Sequence, residues 1–185
     1  MQIGEQVYLW RSISGGDRSR AGVIAKAAIT GPIAEQSDNS ASRPFWFECG
    51  DANDIIDRVT IHFTSADRRI AYDDLKHDPV LSEMHIIKAG IGTNFSLQAE
   101  QASRLASIWS KTGQSWGRTE IKSAIQAYSD GAKPEQLALD VGRTVSDARK
   151  KLASLRNLDP TSSYGAPTPL LSLEREIWDE FFDQR

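Results

Sequence analysis

Gln6-Val7-Tyr8-Leu9-Trp10-Arg11-Ser12 is the stretch from which the fold is read. In an extended chain successive side chains point to opposite faces. Val7, Leu9 and the stem of Arg11 therefore share one face, and Tyr8, Trp10 and Ser12 share the other. Two aromatic rings followed by a hydroxyl, with a guanidinium beside them, fit either of two roles. They fill the core of a β-structure, or they form one wall of a pocket for a flat ring such as a nucleobase.

The residues that follow extend the β pattern. Gly15-Gly16-Asp17 is a turn signal, and it joins the first strand to a second at 21–29, which Gly31-Pro32 ends. The paired glycines lack the lysine and following Ser/Thr of a phosphate loop, so they read as a plain turn. Residues 34–44 are polar and read as an exposed loop. In Pro44-Phe45-Trp46-Phe47-Glu48, alternation sends Phe45 and Phe47 to one face and Trp46 to the other. Trp46 then either stacks on a ligand or covers a neighbouring strand. Strands are expected at 58–63 and 84–88, with a short helix from Tyr72 stopped near Asp78-Pro79. Gly90 to Phe95 is a loop carrying Thr93 and Asn94, and Ser96 is the expected cap of a helix with Leu97, Leu105, Ile108 and Trp109 on one stripe. Short strands around glycine turns, closed by a helix, predict a small mixed β-barrel within an α+β chain.

From Trp116 onward the periodicity is helical. Ile121, Ala124, Ile125 and Tyr128 form one stripe, and Pro134 opens a helix containing Leu137, Ala138 and Val141. Gly142 turns the chain, and Thr144 or Ser146 caps a third helix bearing Ala148, Leu152 and Leu155. Two short helices with a small residue at their approach and a glycine between them read as a helix-turn-helix. Arg149, Lys150, Lys151 and Arg156 make this third helix basic, with Arg143 just before it. Residues 118–156 hold eight Lys or Arg against five Asp or Glu, a local +3, whereas 157–185 hold two against six, a local −4. A last helix carrying Leu170, Leu173, Ile177, Trp178 and Phe181 is expected to dock back onto these three.

The bulk composition restricts function. Net charge is −3 and the pI about 5.6, so any attraction to nucleic acid has to come from a local patch. The single cysteine, Cys49, excludes an internal disulfide and a multi-cysteine zinc site. No leader and no apolar run of membrane-spanning length is present, so a soluble, cytoplasmic protein is expected. His62, His77 and His85 show no metal-ligand spacing, and Glu120-Ile121-Lys122 sits in a helical stretch and not on a strand. No enzyme activity, metal or cofactor is expected.

Tyr8-Leu9-Trp10-Arg11-Ser12, Ala21-Gly22-Val23-Ile24-Ala25, Leu75-Lys76-His77-Asp78-Pro79-Val80-Leu81-Ser82 and Gly92-Thr93-Asn94-Phe95 occur in an order that resembles the EVE domain. That family belongs to the PUA-like barrels and is related to YTH domains. The resemblance implies an EVE domain over residues 1–112, followed by a helical module over 113–185. It implies binding of nucleic acid, DNA in preference to RNA, with a modified base such as a modified cytosine held in an aromatic pocket. The pocket residues would be Trp10, Ser12, Trp46, Thr93 and Asn94. Arg11, Arg143, Arg149, Lys150 and Lys151 would contact the backbone. In that family a strand and a helix precede the Leu-Trp-Arg-Ser strand, so the barrel here is expected to lack its first strand. Lys151-Leu152-Ala153-Ser154-Leu155-Arg156-Asn157-Leu158-Asp159-Pro160 and Ile177-Trp178-Asp179-Glu180-Phe181 resemble the helical module that stands before HNH nucleases in bacterial restriction-type proteins, which opens on a Trp and an acidic residue, here Trp116 and Glu120. That resemblance implies a setting in phage defence and a separate nuclease chain as a second partner. An RNA-binding module and a protein-interaction subunit without a ligand are the alternatives.

Overall fold

A computed structural model of the chain describes residues 1–12, 18–38, 54–89, 95–159 and 172–183. Among them the protein is mixed α+β, with antiparallel strands in open sheets and seven α-helices. They form two compact units, Met1–Arg11 with Val23–Asp67 and Ser12–Gly22 with Arg68–Arg185.

In the first unit β1 (Gln6–Arg11), β2 (Gly22–Ile29) and β5 (Ile61–Ser65) lie in the order β1-β2-β5. The start of β1 meets the end of β2, where Gly4 N–H donates to the Ile29 carbonyl and Ile29 N–H to Glu5. Alternation on β2 is clear: Val23, Ala25, Ala27 and Ile29 are buried, and the residues between them are half-buried. Strand β5 pairs with β2 through Ala27–Phe63, Ala28–His62 and Ile29–Ile61. A bulge between Lys26 and Ala27 lets the Thr64 hydroxyl donate to the Lys26 carbonyl. A second sheet pairs β3 (Ala34–Gln36) with β4 (Ile56–Arg58). The stretch 58–63, expected as one strand, is therefore two strands in different sheets. The chain changes sheet at 59–60, where the Thr60 carbonyl accepts Thr30 N–H at 2.9 Å. Ala34–Gln36, expected as loop, is the partner that β4 requires.

The second unit holds β6 (Ile70–Ala71), α1 (Tyr72–His77), a 3-10 turn at Leu81–Glu83, α2 (His85–Ala89), α3 (Ala99–Lys111), α4 (Arg118–Ser129), α5 (Pro134–Val141), α6 (Val145–Arg156) and α7 (Ser172–Asp183). Gly22 has φ +135°, and a Cβ there would lie 2.1 Å from the Ile70 carbonyl oxygen, so only glycine fits. The expected strand at 84–88 is helical instead. Met84 is buried and its carbonyl accepts from Ile87 and Lys88, a period that a short apolar run does not reveal. Helix α3 is capped two residues later than expected, with the Gln101 side chain accepting the Gln98 N–H.

Helix α3 lies in the second unit and is tied to the later helices by one side chain. The Arg104 guanidinium, buried on α3, donates to Asp78 at 2.7 and 2.9 Å, to the Ala138 carbonyl at 3.0 Å and to the Arg143 carbonyl at 2.8 Å. It thus closes the end of α5 and ties it to the 3-10 turn, whose Val80 and Leu81 N–H groups donate to the other Asp78 oxygen. Around this, Ile121, Ile125, Leu137, Val145, Ala148, Leu155 and Ile177 form the core of the helices.

Candidate nucleic-acid interface

Helix α5 begins on Pro134, whose fixed φ suits the first helical turn, and ends at Gly142 with φ +70°. A Cβ on Gly142 would meet the Ser107 hydroxyl oxygen at 2.2 Å, so α3 also constrains this turn. Thr144 is the cap of α6, with its hydroxyl accepting the Asp147 N–H at 3.0 Å. Ala138 and Ala148, both fully buried, let α5 and α6 approach closely.

Of the basic residues expected on this surface, two are inside. Arg143 is only 3% exposed. Its guanidinium donates to both Glu120 oxygens at 3.0 Å and to the carbonyls of Gln114 and Ser115 at 2.8 Å. Lys151 is buried against Glu174. The two cations also lie over the Trp116 ring, at 4.7 and 5.0 Å from its centroid. Both are therefore bound within the fold and cannot reach a phosphate, contrary to the expected basic patch. Lys151 follows Ala148 by three residues and precedes Leu155 by four, which places it on the inward face of α6. Helical spacing alone carried that signal.

Burial tends to raise the Glu120 carboxyl, but hydrogen bonds from Arg143, Gly117 N–H and Lys111 outweigh it and hold the pKa at about 2. Glu120-Ile121-Lys122 is thus part of α4, with Glu120 closing that helix's first turn.

Arg149, Lys150 and Arg156 do face outward, with the small Ala153 between them. Residues 149, 153 and 156 stand at i, i+4 and i+7, one stripe about 10 Å long. Arg156 belongs to this stripe although only Arg149 and Lys150 of the three were expected as backbone contacts. Arg149 is 63% exposed and 3.9 Å from Glu135. Beside the stripe runs a groove of about 350 Å³ lined by Tyr128, Pro134, Arg149, Leu152, Ala153 and Arg156, among others. The opposite end of α6 differs. Gly142 to Val145 are buried, Ser146 and Asp147 are half-buried, and α1 packs there. Asp74 on α1 is raised by burial first and by Asp147 second, against a hydrogen bond from the Ser146 backbone.

The expected base pocket is described only at its edge. Trp10 is half-buried on β1 beside half-buried Tyr8, and Arg11 and Ser12 are exposed. Trp46, Thr93 and Asn94 lie outside the described residues, as do the Gly15-Gly16-Asp17 turn and the strand at 44–48. His62, His77 and His85 are exposed on separate elements, and among the described residues no three His, Cys, Asp or Glu side chains converge on a metal position. Among the described residues no helix is long and apolar enough to cross a membrane. No protein-family model, curated protein or solved structure matches the chain.

Proposed function

We propose that the protein binds nucleic acid through the outer face of α6 and reads a modified base, a modified cytosine in DNA, with the sheet unit. The observation that carries the first part is the stripe Arg149, Lys150 and Arg156, which faces solvent after Arg143 and Lys151 have been taken into the fold. Clustered cations on one helix face neutralise phosphates and release counterions, and this local patch acts despite the net charge of −3. The second part rests on the likeness of Tyr8-Leu9-Trp10-Arg11-Ser12 and its companion segments to EVE domains. Antiparallel sheets and a half-buried Trp10 are compatible with a PUA-like barrel whose aromatic wall stacks on a flipped base. Arg11, exposed at the end of β1, would hold the adjoining phosphate. A bacterial defence setting belongs to the same reading.

A second reading, an interaction subunit for a separate nuclease chain, draws on the first unit's exposed Ile33, Ile55, Ile56 and Phe63. Fluorescence anisotropy with oligonucleotides of one sequence separates the two. These would carry cytosine, 5-methylcytosine or 5-hydroxymethylcytosine, as DNA and as RNA. Nucleic-acid binding predicts that the Arg149→Ala, Lys150→Ala, Arg156→Ala triple variant weakens every complex by tenfold or more, on the order expected for three lost phosphate contacts. Base reading predicts that Trp10→Ala weakens only the complexes with the modified base. Equal, weak affinity throughout, unmoved by either change, would leave the interaction-subunit reading.

A further inference from the structure

We infer that α6 grips the phosphate backbone along its outer face and does not read base edges through its first turn, so the helical unit binds without sequence preference. This rests on the nucleic-acid reading of α6 and specifies what that helix recognises. A recognition helix that reads sequence does so by placing its N-terminal residues at base edges in the major groove. Here that end is enclosed within the unit. The residues from Gly142 to Val145 are buried, and Ser146 and Asp147 are half-buried.

Three attachments hold this end in place. Arg104 on α3 donates to the Arg143 carbonyl at 2.8 Å, and the Ser107 side chain lies against Gly142. Helix α1 packs against α6 and brings Asp73 and Asp74 to the same end as Asp147. Three carboxylates there oppose the approach of phosphates, with Lys150 the nearby cation. Outward exposure on α6 begins only at Arg149, and from there the solvent-facing residues are Arg149, Lys150, Ala153 and Arg156. Arginine and lysine on a face with a small residue between them suit two or three phosphates, which carry no sequence information. Selectivity in the whole protein then has to come from another part of the chain.

The test uses the full chain and short duplexes of unrelated sequence, all with unmodified cytosine, titrated over a range of salt. The expected dissociation constants agree within about threefold among sequences, and log affinity falls with log salt at a slope of about −2.7, or 0.9 for each of three neutralised phosphates. Ser146→Ala is expected to leave the constants unchanged on every duplex, and the Arg149, Lys150, Arg156 triple alanine variant to bring the slope near zero. A tenfold spread among sequences that Ser146→Ala or Asp147→Ala narrows would overturn the inference while leaving nucleic-acid binding intact. No binding to any duplex, or a slope indifferent to the triple variant, would overturn the nucleic-acid reading of α6 itself. The three substituted cations are solvent-facing, and circular dichroism of each variant confirms that the comparison is between folded proteins.

Discussion

Glu120 shows how one carboxylate can organise several segments. It accepts Arg143 on both oxygens and Lys111 on one, and the Gly117 N–H closes the first turn of α4 on it. With its pKa near 2 against an ordinary 4.5, its ionised form stabilises the fold at pH values above 4.5. That stabilisation is lost as the pH falls from 4.5 through about 2. Glu120→Gln is therefore expected to lower stability at neutral pH by about 2 kcal/mol, the usual size for hydrogen bonds to a charged group. Urea midpoints of wild type and variant should converge towards pH 2. Asp74 has the opposite sign, because its raised pKa makes the ionised form the less favourable one in the fold. On the acid side of the stability profile Asp74 thus acts against Glu120, and Glu180, held down by its hydrogen bond from Arg118, acts with Glu120. Arg143 could be read from the sequence as a cation next to a helix start, but its partners lie 23 to 32 residues away and no local pattern reveals them.

The element that sets the geometry of the helical unit is the turn between α5 and α6. Gly142 holds a left-handed conformation, and any Cβ there would strike the Ser107 hydroxyl. Gly142→Ala should cost about 2 kcal/mol in thermal or urea unfolding, roughly 1 kcal/mol of it from the left-handed backbone. Adding Ser107→Ala should recover the steric part and leave the backbone part. Full recovery would mean that the turn relaxes out of its left-handed conformation. The glycine and the apolar spacing around it were legible in the sequence, because helical periodicity follows local side-chain placement. The docking of α7 was legible for the same reason, with Ile177 and Trp178 buried as the stripe required. The 84–88 segment was not, since a few apolar residues satisfy a strand or a helix equally well until a partner is present.

For the molecule as a whole, charge is distributed unevenly and much of it is internally paired. Arg118 bridges Glu176 and Glu180 on α7, and Lys122 reaches Glu180 at 3.7 Å, while Arg149, Lys150 and Arg156 on α6 are exposed. Removing acid from α7 should therefore change long-range attraction to a polyanion more than the contact itself. Glu176→Gln with Glu180→Gln is expected to speed association with duplex DNA by about twofold at low salt. The effect should vanish near physiological salt, where the Debye length is about 8 Å. Stopped-flow association rates at two ionic strengths check this, and an effect that persists at high salt would point to a direct contact of α7 with the duplex.

The alternation on β2, the helical stripes of α4 to α7 and the glycine at 142 come from the order of residues in the chain, since period 2 and period 3.6 are properties of local backbone geometry. The partition of the stretch 58–63 between two sheets depends on which strands stand ready to accept it, Thr30 opposite Thr60 on one side and Ala34 opposite Arg58 on the other. The same holds for the basic residues. Arg143, Arg149, Lys150 and Lys151 are alike as letters, yet Glu120 and Glu174 take two of them inside and leave two in water. A buried cation needs a partner, and that partner is supplied by a distant segment only once the helices have packed.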